Sequence, residues 1–163
     1  MKQEGKHLLI DGYNVIHSLP SLKKLLEESQ EAACESLIRM ARAIHDEEGI
    51  RVTVVFDGRE KTVQIERPCQ RVTFSVVYAS SQLSADGVIE QLLARSRQPE
   101  QITVASRDNM IREASAARGA FFIDGSGFED WVTRCEKRIT SRSSGKKSKT
   151  WENSLGDLWE DLE

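Results

Sequence analysis

Leu8-Leu9-Ile10-Asp11-Gly12-Tyr13-Asn14 is an apolar run that stops abruptly on an acid. The same pattern returns at Val52-Thr53-Val54-Val55-Phe56-Asp57-Gly58 and at Ile102-Thr103-Val104-Ala105-Ser106-Arg107-Asp108. A buried strand followed at once by a carboxylate is how an open α/β sheet gathers acids at one edge. That edge is formed by the carboxyl ends of its strands, where such folds bind ligands. A fourth acid, Asp86, opens the helical pattern Ala85-Asp86-Gly87-Val88-Ile89-Glu90-Gln91-Leu92-Leu93. Several acids converging without basic partners point to a divalent metal site.

Working outward, the spacing predicts a strand over 7–11 and a helix over 30–48, introduced by the turn-prone Ser18-Leu19-Pro20-Ser21. In that helix Ala33, Leu37, Met40, Ala41 and Ile44 recur at three- and four-residue intervals, and Gly49 stands where a C-cap belongs. The β-branched run 51–56 reads as a central strand covered on both faces. A loop or short hairpin is expected over 59–70, and strands over 71–78, 101–105 and 120–123. Helices are expected over 85–96, with Ser84 as N-cap, from about Asn109 to before Gly119, and over 128–140. Asp124-Gly125 reads as a turn closing the last strand. Strands alternating with helices imply right-handed crossovers, hence one α/β domain with a central, mostly parallel sheet and helices on both faces.

A chain of 163 residues is long enough to bury a real core. No apolar run approaches the length of a membrane span, and the first residues lack the pattern of a signal peptide, so a cytoplasmic protein is expected. Cys34, Cys69 and Cys135 are far apart and form no C-x-x-C pair, which argues against a disulfide scaffold or a structural zinc. His7, His17 and His45 form no ligand-spaced cluster. The net charge of −3 conceals an asymmetry. Residues 134–149 carry seven Lys/Arg against Glu136 alone, while residues 151–163 carry five acids and no base. The Ser/Gly/Lys tract 141–150 therefore reads as a basic flexible linker. Beyond it, Trp151, Leu155, Leu158, Trp159 and Leu162 recur at helical spacing amid acids, as an amphipathic segment that could dock on its own domain, a second copy or another protein.

Each acid also has an ordinary reading. Asp11-Gly12 and Asp57-Gly58 are common turn pairs; Asp86 and Asp108 suit helix starts, and Glu90 faces either the site or solvent. The conjunction across strand ends carries the metal reading. Mg²⁺ or Mn²⁺ takes oxygen ligands and keeps several waters, so a few carboxylates suffice, and such an ion activates water and steadies a leaving oxygen.

At Leu9-Ile10-Asp11-Gly12-Tyr13-Asn14-Val15-Ile16 the chain resembles the NYN-domain proteins of the PIN-like nuclease superfamily, and its YacP-like branch in particular. Val54-Val55-Phe56-Asp57, Ser84-Ala85-Asp86 with Ile89 and Glu90, and Val104-Ala105-Ser106-Arg107-Asp108 extend the likeness over roughly residues 7–140. The resemblance implies a three-layer PIN-like domain over 1–140 and a metal-dependent ribonuclease that cuts within RNA. It implies that Asp11, Asp86 and Asp108 organise Mg²⁺ or Mn²⁺, that Asp57 is an auxiliary acid, and that Asn14 and Ser106 support the site by hydrogen bonds to a carboxylate or phosphate. It also implies a link to translation and ribosomes. Gly87 stands where that branch often has a helix former such as Glu, which leaves one acid fewer near the metal.

RNA phosphates call for Lys and Arg. Arg59, Lys61, Arg67 and Arg71 flank the second acid-bearing strand, Arg107 and Arg112 adjoin the strand at 101–105, and Tyr13 could stack on a base. Two rivals to the enzyme remain. One is a non-catalytic RNA- or ribosome-binding module of the same fold; the other is an adaptor acting through Trp151 and Trp159.

Overall fold

The apolar run at 7–11 becomes the pivot of the sheet. A computed structural model describes residues 5–160, the side chains of 143–160 excepted. In chain order the elements are β1 (His7–Asp11), α1 (Gly12–Ser18), α2 (Pro20–Glu28), α3 (Gln30–Glu48), β2 (Arg51–Phe56), β3 (Gln64–Glu66) and β4 (Phe74–Tyr78). There follow α4 (Ala85–Arg95), β5 (Ile102–Ala105), α5 (Asn109–Ala117), β6 (Phe121–Ile123) and α6 (Gly125–Glu160), with a 3-10 turn over Pro99–Gln101. The strand order is β3-β4-β2-β1-β5-β6, all parallel except β3, which runs antiparallel to β4. The chain builds outward from β1 to β2 and β4, then crosses to the other side for β5 and β6. The crevice between β1 and β5 is therefore the topological switch point, where sheets of this kind bind ligands.

Alternation along the strands divides the core into two layers. Leu8, Ile10, Val52, Val54 and Phe56 pack against α1, α3 and α6, whereas Leu9, Val55, Val104 and Ile102 pack against α4 and α5. Because successive strand side chains point to opposite faces, Asp11 shares the face of Leu9 and Asp57 that of Val55. Both carboxylates are thereby aimed at the α4/α5 layer, from which Asp86 and Asp108 arrive. Leu9 and Ile10 are fully buried, and truncating either to Ala would cost about 2–5 kcal/mol.

Most expected elements stand where the spacing puts them. Gly49 ends α3 at φ +65, a left-handed conformation that glycine adopts without strain. The region before α3 differs, because two helices replace a turn. Pro20 is the first residue of α2, where its missing N–H would have had no partner in any case, and Leu19 alone separates α1 from α2. The segment 59–70, expected as a loop or short hairpin, contributes the edge strand β3, whose antiparallel partner is β4 rather than a strand within the segment. At 124–125 the expected turn is the start of α6, with the Asp124 carboxylate accepting the Gly127 N–H at 2.8 Å. The helix is continuous to Glu160. The basic tract 141–150 and the Trp151–Leu162 segment were read from side chains that, from residue 143 onward, lie outside the described residues. No helix among the described residues is long and apolar enough to cross a membrane.

Candidate metal centre

β2, β1 and β5 are neighbours, so their carboxyl ends bring Asp11, Asp57 and the Ser106–Asp108 loop side by side. Asp11 is the last residue of β1 and only 4% exposed. Although it precedes α1, its side chain makes no capping bond to the helix, so the Asp-Gly turn reading does not describe it. Gly12 is required here for space, since a Cβ would lie 2.4 Å from the Phe56 ring. The Ser106 hydroxyl, fully buried, donates to Asp11 Oδ2 at 3.1 Å and accepts the Asp108 N–H at 3.1 Å. One hydroxyl thus ties the buried acid to the start of α5.

The other acids do two things at once. Asp57 Oδ1 accepts the Ala85 N–H at 2.8 Å, which anchors the first turn of α4 and with it Asp86. Ser84 accepts the Gly87 N–H at 3.2 Å, as its N-cap role predicts. Asp108 caps α5 by accepting the Met110 N–H at 2.8 Å. Asn14 Oδ1 accepts the Arg107 N–H at 2.6 Å and so fixes the loop between β5 and α5.

Electrostatics bind these residues into a unit. Burial, the Asp86 charge and a shared side-chain hydrogen bond with Asp86 push Asp11 from the ordinary 3.8 up to about 7, against the Ser106 bond, with a smaller contribution from Asp57. Asp86 is itself raised by burial and by Asp108, then by Asp57 and Glu90. Exposed Glu90 is therefore felt at the site. Like charges held together without a counter-ion each resist ionisation, which is the direction both acids take. Among the described residues none of these acids forms an ion pair with Lys, Arg or His. Nor is any group of three or more acids, thiols or imidazoles among the described residues placed to hold a metal ion. The edge supplies clustered oxygen donors with too little positive charge, and Asp11 and Asp86 are the pair that a cation would relieve most.

The basic candidates divide. Arg59 and Lys61 leave the carboxyl end of β2 and are exposed, as is Arg107 after β5. Arg112, in the first turn of α5, places its guanidinium 5.8 Å from the centroid of Phe122. Arg67 and Arg71 follow β3, which runs back from the acid edge, so Arg71 lies at the opposite end of the sheet. Tyr13 is half-buried against Phe56 at 5.0 Å between centroids and bonds Gln30; Phe56 stacks in turn on Tyr78 at 5.8 Å. Tyr78 extends this aromatic row beyond the one residue the sequence singled out, and only the β2–β4 pairing reveals it.

The chain matches the family model of the YacP-like NYN domain over residues 8–162, so the family match extends past residues 7–140, over which the resemblance runs, and takes in the tail that matches no family motif. It is 34% identical over 137 residues to protein YacP of Bacillus subtilis (strain 168), covering 83% of this chain and 79% of that protein. The crystal structure of Rae1 (YacP) from Bacillus subtilis is similar in fold, with a TM-score of 0.74 and 29% identity over 96% of this chain and 90% of that one. A point variant of the same protein gives a TM-score of 0.73 and 30% identity, covering 88% and 84%.

Proposed function

This chain belongs to the YacP-like NYN domain family, and from that premise we propose that it is a metal-dependent endoribonuclease. One observation carries the reading: Asp11 and Asp86, on separate elements, lie at the switch point of the sheet, each raised by burial and by neighbouring acids, with no ion pair to Lys, Arg or His among the described residues. The donor set fits a hard dication, since every candidate ligand is a carboxylate oxygen. Asp11 and Asp86 would hold Mg²⁺ or Mn²⁺, with Asp57 and Asp108 as further acids at the same edge. When bound, the metal supplies a nucleophilic water and neutralises charge on the phosphodiester.

The protein's own part is to prepare that edge. Ser106 orients Asp11, Asn14 holds the loop that presents Asp108, and Asp57 fixes the helix start that presents Asp86. Arg59, Lys61 and Arg107 stand exposed around the acids as phosphate contacts, and Tyr13 offers a stacking surface. Kinship with the YacP-like branch extends the proposal to translated or ribosome-associated RNA, in the cytoplasm. A protein contact through the Trp151–Leu162 segment belongs to the same proposal.

A second reading, a non-catalytic RNA-binding module, draws on the lack of a closed ion cage among the described residues. Purified protein incubated with end-labelled RNA in Mn²⁺ or in chelator separates the two. Internal cleavage that needs the metal and is lost in Asp11→Asn and Asp86→Asn supports the enzyme; RNA binding without cleavage in any condition supports the module.

A further inference from the structure

A wide concavity lies away from the acids, at the amino end of the sheet. It measures about 1330 Å³ and is lined by Lys6, Arg42, Arg51, Gln70 and Arg71, with Asp46 as the acid among them. The strand register explains the cluster. Lys6 and Arg51 are joined by a backbone bond of 3.1 Å, Val52 bonds Thr73, and Arg71 accepts from Phe74. The starts of β1, β2 and β4 thus stand side by side, about 4.8 Å apart per strand, and each brings a cation. Arg42 reaches the same groove from α3, where it pairs with Asp46 at 3.4 Å. Lys6, Arg51 and Arg71 form no ion pair among the described residues. Gln70, left-handed at φ 58, holds the lip of the groove in a conformation that few non-glycine residues adopt.

The geometry points to this groove as a second phosphate-binding site, one that holds the backbone of an RNA at the end of the sheet opposite the acids. The choice of RNA over another polyanion rests on the nuclease reading; the cation cluster itself does not. Spaced guanidinium groups beside an amide donor (Gln70) suit phosphodiester oxygens, which take bidentate and single hydrogen bonds alike. The five residues of β1 span roughly 16 Å, so a dinucleotide occupies one end at a time, whereas a longer strand engages both.

The test is fluorescence anisotropy with a labelled single-stranded RNA of about 20 nucleotides, in chelator throughout so that no cleavage intervenes. Arg51→Gln/Arg71→Gln should bind about tenfold more weakly than the intact protein. Its slope of log affinity against log salt should fall by about 1.4, two phosphate contacts at roughly 0.7 each. Arg39→Gln, an exposed charge on α3 outside the groove, serves as the control and should bind normally. In Mn²⁺ the double variant should cleave a dinucleotide as the intact protein does but a long RNA less well, through KM. Equal affinity and slope in double variant and control would overturn the proposal. So would displacement of the RNA by polyglutamate at equal charge as readily as by unlabelled RNA, which would assign the groove to an acidic polypeptide. Absence of cleavage would defeat the nuclease reading and leave the binding measurement standing.

Discussion

His7 and Asp11 open and close the same five-residue strand and, four residues apart, share one face of it. Both are ionisable groups in the interior, and their titration moves in opposite senses. Burial, aided by the Arg51 charge, lowers His7 to about 4, and its Nε2 finds the Thr53 hydroxyl at 2.8 Å. Burial, aided by neighbouring carboxylates, raises Asp11 to about 7. At the amino end the ionisable group is neutral and has a polar partner, which describes a structural residue beside a basic groove. At the carboxyl end acids are gathered with no ion-pair partner among the described residues, and on the proposed function a cation completes the site. Burial alone does not mark function; an unbalanced set of partners does.

The largest effect expected from breaking this contrast is on cleavage. Asp11→Asn or Asp86→Asn should lower the rate on labelled RNA by about 10³-fold, the scale of removing a group that acts on the reacting centre. His7→Gln should leave the rate within a few-fold. Ser106→Ala, which removes the hydroxyl holding Asp11 and the Asp108 amide, should cost about 10–100-fold, as loss of a ligand-orienting hydrogen bond does. Metal titration of that variant should show weaker affinity as the cause.

The next effect is on stability of the metal-free protein and has opposite signs at the two ends. A raised acid binds its proton more tightly folded than unfolded, so Asp11 removes stability as pH climbs from about 4 through 7. A lowered histidine does the reverse: His7 adds stability as pH climbs from about 4 through 6.5. In the intact protein the two slopes offset. Asp11→Asn should therefore show stability rising across that window and should exceed the intact protein by about 1–3 kcal/mol at pH 8. His7→Gln should show stability falling as pH rises. Urea denaturation across pH reads both, and parallel profiles for the two variants would refute the assigned shifts. The smallest effect is Thr53→Val, about 1 kcal/mol for the hydrogen bond to His7, with cleavage unchanged.

The strand ends were legible because each apolar run stopped on an acid, and three such runs needed only to be adjacent. The β2-β1-β5 order supplies that adjacency. Helices α1 and α2 were not legible, because Ser18-Leu19-Pro20-Ser21 carries turn residues, yet Pro20 serves as a helix start and a single extended residue makes the corner. The Asp-Gly pair at 124–125 misled in the same way: an acid that caps a helix and one that makes a turn have the same neighbours in sequence. At the site the acids could be named but not their division of labour. That Asp57 grips Ala85 and Asn14 grips the Arg107 amide depends on contacts between residues 28 and 93 positions apart. The amino-end groove was invisible for a like reason, since Lys6, Arg51 and Arg71 meet only through the register of three strands.

The most direct measurement is calorimetric titration of Mn²⁺ into the intact protein and Asp11→Asn, each in two buffers of different ionisation heat. One dication should bind with release of about one proton at pH 6 and progressively less toward pH 8.5, as the proton held by the raised Asp11 is displaced. Asp11→Asn should lose both the binding and the proton release. Absence of binding in the intact protein, or an identical proton count in the variant, would contradict the assignment of this edge as a cation site.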